Sequence, residues 1–352
     1  MKMLENNKKT NGKENPSKLF TNRFQLEGYE DLELSTQILM KEALKRGILV
    51  EILDRKENFI SLKKDHRVEY VKQATKTSKD TYISVLIMEN KSVTKKVLQD
   101  EGILVPQGME LHSMDAVQNL VKDWLAKPMV VKPKSTNFGI GINIFKEGAS
   151  EQDILQACKI AFEHDNTILV EEFIPGKEYR FLVIGNKVCG ILHRVPANVI
   201  GDGEKTIREL VEIKNQDPLR GYHYITPLEK INLDKNAALF LKQQGKNFDF
   251  IPQEGEVVYL RENSNISTGG DSIDYTDVIP DRFKKIAVQA CRAVGANICG
   301  VDMMIEDYRN ENSSYGIIEL NFNPAIHIHC YPYRGKERNI AAEILKLLGF
   351  LS

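Results

Sequence analysis

The sequence predicts an α/β (α+β) protein, two α+β lobes preceded by a small mixed region, and three observations support this. At 352 residues, 42% of them hydrophobic, the chain can bury a sizeable core and divide into two or three lobes. Helix-spaced segments alternate with strand hairpins along its length instead of clustering by type. The apolar run Gly316-Ile317-Ile318-Glu319-Leu320-Asn321-Phe322-Asn323-Pro324 reads as a strand whose end presents Glu319, Asn321 and Asn323 at alternate positions, on one face.

Residues 1 to about 20 are dominated by Lys, Asn, Glu and Ser, a composition that predicts a disordered leader. From Glu33, the residues Leu34, Ile38, Leu39, Ala43 and Leu44 recur near the helical period, and Arg46-Gly47 stops the helix before a strand from Ile48 to Leu53. Arg67 to Lys72 alternates as a strand does, and the apolar Tyr82 to Met88 is assigned to the same sheet region, so that 21–90 forms the mixed unit. A central lobe, 91–165, is expected to hold a helix from Ser92 to Glu101, another from Asp115 to Leu125, a strand from Met129 to Pro133 and a helix from Glu151 to His164. The second lobe, 166–352, opens with a strand from Thr167 to Phe173, the turn Pro175-Gly176, and a hairpin from Tyr179 to Leu192 folded at Gly185-Asn186. Residues 201–255 carry repeated turn signals around a helix from Thr206 to Asn215 and read as an insertion. A strand at 257–261, a helix from Arg282 to Val294, the strand Cys299 to Ile305, the Gly316 strand and a helix from Asn339 to Leu348 complete the order.

Bulk properties exclude several roles. The formal net charge of -1 gives no field that favours nucleic acid or an anionic membrane. Five scattered cysteines, without a CxxC pair, read as reduced thiols of a cytoplasmic protein. No apolar stretch approaches the ~20 residues that span a bilayer, and no signal-peptide core is visible.

Chemistry concentrates in a few places. Glu319, Asn321 and Asn323, with Asp302 on the neighbouring strand candidate, offer oxygen ligands only, which suit magnesium better than zinc. Gly139 and Gly141 lie in a small-residue loop, Ser135 to Gly141, placed between two strands, where backbone amides could meet phosphate oxygens. Lys132 stands just before that loop, and the patterns GxxxxGK[ST] and GxGxxG are absent. Ile168-Leu169-Val170-Glu171-Glu172-Phe173-Ile174 could carry an adenine along its backbone, with Glu178 on the ribose. Taken singly, each of these is as well explained by a turn or a solvated strand.

In order and spacing, Val130-Val131-Lys132-Pro133, the small-residue loop, Val170 to Ile174, Glu178, Asp302 and Glu319-Leu320-Asn321 resemble the ATP-grasp superfamily from Lys91 onward. That resemblance implies two lobes gripping ATP, with magnesium, or manganese in its place, as the metal. It implies that Lys91 and Lys132 bind phosphates, that Ser135, Gly139 and Gly141 belong to a loop closing over the γ-phosphate, and that Glu171, Glu172, Phe173 and Ile174 form the adenine hinge. Glu178 becomes the ribose ligand and Asp302, Glu319 and Asn321 the metal ligands, while Asn323 faces substrate or braces the turn at Pro324.

The segments His193 to Gly203 and Arg261 to Asp271 are similar, more narrowly, to the carboxy-terminal ligase half of bifunctional bacterial glutathione synthases; a related Ser-Thr-Gly-Gly occurs in cyanophycin synthetases. Implied are an ATP-dependent carboxylate–amine ligation through an acyl phosphate, Arg261 or Arg194 as stabiliser of the tetrahedral intermediate, and Ser267, Thr268, Gly269 and Gly270 as the acceptor-binding loop. The substrates implied are small peptides or amino acids, and a homodimer is compatible with the pattern. Since no γ-glutamylcysteine ligase domain fits in the sequence, a separate enzyme would supply that dipeptide. Two other readings stand beside this one: a cyanophycin-synthetase-like ligase, and a nucleotide-binding partner subunit without turnover. His327-Ile328-His329-Cys330 invites a zinc reading on alternate strand positions, but no second ligand pair accompanies it.

Overall fold

Hydrogen bonding divides the chain differently from its sequence pattern in one respect: the strand at 168–172 belongs to the central lobe. The computed structural model describes residues 23–135 and 141–352, so the predicted leader and the loop stretch 136–140, with Gly139, lie outside the described residues.

The chain opens with α1 (Leu34–Lys45) and an antiparallel sheet of β1 (Leu49–Asp54), β2 (Phe59–Lys64) and β3 (Arg67–Lys72), in that order. Next come α2 (Tyr82–Glu89) and α3 (Lys91–Asp100). The apolar Tyr82 to Met88 is therefore helix and not sheet. The Thr81 side chain caps it by accepting from the Ser84 amide, and only Ser84 and Met88, four residues apart, are buried. Asn90 caps α3 in the same way through the Val93 amide.

The central lobe contains β4 (Gly108–Leu111), α4 (Met114–Leu120), β5 (Met129–Pro133), β6 (Asn143–Phe145), α5 (Glu151–Phe162) and β7 (Ile168–Glu172). Its sheet runs β4-β7-β5-β6, all neighbours antiparallel, and buries Val131, Ile168 and Val170 against Ile154, Ala157 and Ala161 of α5. The lobe boundary thus falls at Pro175-Gly176, after β7. Gly176 has φ +114, and a Cβ there would sit 2.2 Å from the Ile305 carbonyl oxygen, so only glycine turns the chain here.

Beyond that turn lie β8 (Lys177–Ile184), β9 (Lys187–Val195), β10 (Asn198–Ile200), α6 (Ile207–Lys214), β11 (Arg220–Gly221), β12 (Leu228–Glu229), α7 (Lys235–Gln243), β13 (Val257–Tyr259), β14 (Asp271–Asp274), α8 (Asp281–Ala293), β15 (Ile298–Ile305), β16 (Tyr315–Asn321), α9 (His327–Cys330) and α10 (Ile340–Leu347). Five of these strands form an antiparallel sheet in the order β14-β9-β8-β15-β16. On one face Tyr179, Phe181, Val301, Met303 and Ile317 pack with Phe283, Ala287 and Ala290 of α8. Part of the other face meets α1 and α10 through Leu182, Ile184, Leu39 and Ile344. The insertion, β10 to β13, has its own small core of Val199, Ile207, Leu210, Leu241 and Val258, and α6 begins with a capping box between Thr206 and Glu209.

His327 to Cys330 is a helical turn, not the strand that the zinc reading required. Pro324 ends the preceding strand, and the two imidazoles part: His327 Nδ1 lies 3.0 Å from Ser35 Oγ, while both ring nitrogens of His329 are buried without a partner. Burial holds both rings neutral, with pKa values of about 4 and about 3.

Candidate active site

Strand register assembles the polar face of the five-stranded sheet. Asp302 on β15 stands opposite Arg180 on β8 and Glu319 on β16, so these three side chains form a row. Just beyond, the register slips: Met303 pairs with Ile317, leaving Ile318 as an extra residue, and such a bulge increases the local twist beside a site. Asn321 shares the face of Glu319, with its Nδ2 3.3 Å from Asp302 Oδ2.

Asp302 is buried and held by two guanidiniums. Arg180 donates from Nε to Oδ1 at 2.6 Å and from Nη2 to Oδ2 at 2.5 Å, and Arg194 donates to Oδ2 at 3.2 Å. Burial alone would raise the Asp302 pKa, but Arg180 and Arg194 outweigh it and hold the carboxyl below its ordinary value. Arg194 also pairs with Glu178, whose other oxygen accepts from Ser264 Oγ at 3.3 Å.

A second cluster comes from α3 and the central sheet. Lys95 and Lys132 both pair with the buried carboxylate of Glu171, the latter at 2.9 Å, and Lys91 Nζ reaches within 3.9 Å of Glu319. Burial opposes the charge on Glu171, yet Lys132 and Lys95 keep its pKa low. Burial, aided by Lys132, depresses Lys95 to about 8, and burial lowers Lys91 as well. Three ammonium groups therefore converge where the two sheets approach, and a polyanion suits such a place. Lys95 escaped the sequence reading, although it follows Lys91 by four residues and so shares its helix face. Arg180 escaped too, two residues after Glu178 on one strand face.

The other expected residues are placed as follows. The Glu171 side chain is occupied by lysines, so a hinge role rests on backbone alone. The amides of Glu172 and Phe173 donate to the Gln107 and Pro128 carbonyls, at 2.8 and 3.2 Å. Ser135 bonds Asp165 through its amide at 2.7 Å and its hydroxyl at 2.5 Å. Gly141 has φ +74, and a Cβ there would lie 2.8 Å from both Pro133 and His164. Arg261 is turned into the insertion, 2.6 Å from Asp234, so of the two proposed arginines only Arg194 joins the polar row. Asn323 accepts from Thr75 Oγ1 at 2.8 Å and donates to Gln73 at 3.3 Å, bonds that suit the bracing role expected of it. Ser267 and Thr268 lie in a 3-10 turn that ends at Gly269, φ +93.

The oxygen set suits a hard divalent cation. Among the described residues Asp302 Oδ2 accepts from Arg180, Arg194 and Asn321, but Oδ1 accepts from Arg180 alone and keeps a lone pair for a metal. Two carboxylates and a carboxamide leave the remaining octahedral positions for phosphate oxygens and water. Among the described residues no group of three or more His, Cys, Asp or Glu is arranged to hold a metal.

Comparison with known proteins gives matches along most of the chain. Residues 30–83 match the model of an ATP-grasp-like domain, 97–239 that of a D-ala D-ala ligase C-terminus, and 252–348 that of a RimK-like ATP-grasp domain. The glutathione biosynthesis bifunctional protein of Clostridium perfringens is 59% identical over 92% of this chain and 42% of its own length; that of Enterococcus faecalis is 51% identical over 96% and 45%. The crystal structure of a bifunctional glutathione synthetase from Pasteurella multocida superposes with a TM-score of 0.76 at 45% identity, covering 93% of this chain and 45% of that one. The chain thus spans less than half the length of the relatives it matches. With the lysine cluster facing the Asp302–Glu319 row across two antiparallel sheets, and with these matches along most of its length, the chain belongs to the ATP-grasp superfamily.

Proposed function

We propose that the chain is an ATP-dependent carboxylate–amine ligase of the glutathione synthetase type, joining γ-glutamylcysteine to glycine in the cytoplasm. The observation that carries this is the meeting of the two charged clusters at Lys91 and Glu319, 3.9 Å apart. A donor carboxylate oxygen attacks the γ-phosphorus and ADP departs. The amine nitrogen then attacks the acyl carbon, loses its proton, and phosphate leaves. Such chemistry asks chiefly for positioning and charge neutralisation. Lys95 and Lys132, with Lys91, would hold the phosphates, Glu178 the ribose hydroxyls and the Ile174 amide the adenine. Asp302, Glu319 and Asn321 would hold magnesium, which when bound supplies charge neutralisation between the β- and γ-phosphates. Arg194, already at the junction of the ribose and metal residues, is placed to meet the oxyanion.

Narrow likeness to the bifunctional glutathione proteins supports the choice of substrates, and no described helix is long and apolar enough to cross a membrane. The deciding assay measures ADP and phosphate release with a panel of dipeptides and amino acids. Stoichiometric ADP, phosphate and glutathione from γ-glutamylcysteine plus glycine are expected. Turnover only with aspartyl or arginyl substrates would favour a cyanophycin-synthetase-like ligase, and ATP binding without turnover a partner subunit.

A pH profile tests the phosphate site. With a pKa of about 8, Lys95 loses its charge in the free enzyme as pH rises, so kcat/KM for ATP should fall on an alkaline limb near pH 8. Arginine keeps its charge there, so Lys95→Arg should move that limb upward; an unchanged limb in the variant assigns it to another group.

A further inference from the structure

The insertion is fastened to the sheet at one carboxylate. Asp271 opens β14 directly after Gly269-Gly270, and its buried side chain accepts from Lys214 at 2.7 Å, from Asn198 Nδ2 at 3.0 Å and from Arg220. All three donors belong to the insertion. Lys214 alone matches the charge of Asp271, so a second cation is not needed for neutrality. Burying one more is costly unless it makes bonds of its own.

Arg220 makes such bonds. Its side chain is fully enclosed, one Nη donates to the Glu229 carbonyl at 2.8 Å and to the Gly269 carbonyl at 3.0 Å, and the other Nη donates to Asp271. One guanidinium therefore grips the Ser267–Gly270 loop at the Gly269 carbonyl and the strand that follows it at the Asp271 carboxylate. The Tyr333 ring, 5.3 Å away, braces it. Beneath the grip the loop has little freedom: a Cβ at Gly269 would lie 2.8 Å from Ile231 Cα, and one at Gly270 2.7 Å from the Asn265 carbonyl oxygen.

We propose that Arg220 is the positioning residue of the acceptor site: by fixing the Gly269 carbonyl it sets the Ser267 and Thr268 turn against the incoming amine. The proposal rests on the ligase reading above. A lysine at 220 can still pair with Asp271 but lacks the planar fork that also holds Gly269.

The test compares wild type, Arg220→Lys and Arg220→Met. For Arg220→Lys, the expected result is a KM for glycine raised about tenfold or more, with KM for ATP close to wild type. Acyl-phosphate formation, followed without glycine by exchange of the β,γ-bridging oxygen of labelled ATP, should be unchanged. Arg220→Met should show the same or a larger glycine defect. An unaltered glycine KM in Arg220→Lys, or an equal decline of every kinetic constant, overturns the proposal. A wild type that shows no glycine-dependent turnover at all rejects the glutathione synthetase-type reading itself, and is seen before any variant is compared.

Discussion

Glu319→Gln is expected to lower ATP-dependent ligation by at least ~100-fold, the range seen when a charge-stabilising group is withdrawn from a transition state. The substitution keeps shape and hydrogen-bonding capacity, so the strand it stands on should be undisturbed. Glu319 is half-buried at the edge of the sheet, and Lys91 Nζ lies 3.9 Å from it. Removing the charge leaves Asp302 as the single carboxylate of the oxygen set, already committed to two arginines. Both metal affinity and the approach of Lys91 to the phosphates should suffer. Steady-state kinetics at saturating ATP, with a manganese titration followed by paramagnetic resonance, would check this; ligation undiminished in the variant would show that the metal site is elsewhere.

Asp302→Asn should have the larger effect on stability. Arg180 would keep its charge in a buried place without its carboxylate partner, while Arg194 would retain Glu178, and breaking a buried pair from one side typically costs about 3–5 kcal/mol. Urea unfolding should register that loss near neutral pH. The dependence on pH has a definite sign. Native Asp302 titrates below its ordinary 3.8, so its stabilisation is complete above 3.8 and disappears as pH falls through the lower folded value. The gap between wild type and variant should therefore stay constant near neutral pH and narrow as pH falls below 3.8. A gap that is constant from pH 7 to pH 3 would place the destabilisation in packing and not in charge.

Much of this site could be read along the chain because its residues sit at strand ends, where period-two alternation is unambiguous. Glu319 and Asn321 share a face for that reason, and Asp302 was legible as the acid inside a second apolar run. Lys95 was hidden by a neighbouring lysine with equal claim: the sequence Lys91-Ser92-Val93-Thr94-Lys95 does not say which amine turns toward Glu171. The direction of α3, fixed by the Asn90 cap and the burial of Thr94 and Leu98, decides it. Tyr82 to Met88 was misassigned because a short apolar run fits a strand or a helix alike, and the Thr81 cap resolved the ambiguity. The end of the central lobe was missed since pairing of β7 with β4 and β5 spans many residues, which no local pattern records. Arg261 carried a plausible role by position, but its partner Asp234 lies in the insertion, whose path the sequence did not show.

The core that joins α1 and the first sheet to α10 brings Leu34, Leu39, Met40, Ile60 and Leu62 together with Ile340, Ile344, Leu345 and Leu348. On a ribosome those early residues emerge long before their partners are made. The small sheet must wait, its apolar face uncovered, until α10 has been synthesised. Contacts so distant in sequence slow folding and prolong the exposure of aggregation-prone surface. The last turn of α10 is thus a checkpoint for the first, and a nascent chain released short of it would carry an intact set of lysines and carboxylates on a body that cannot close its core.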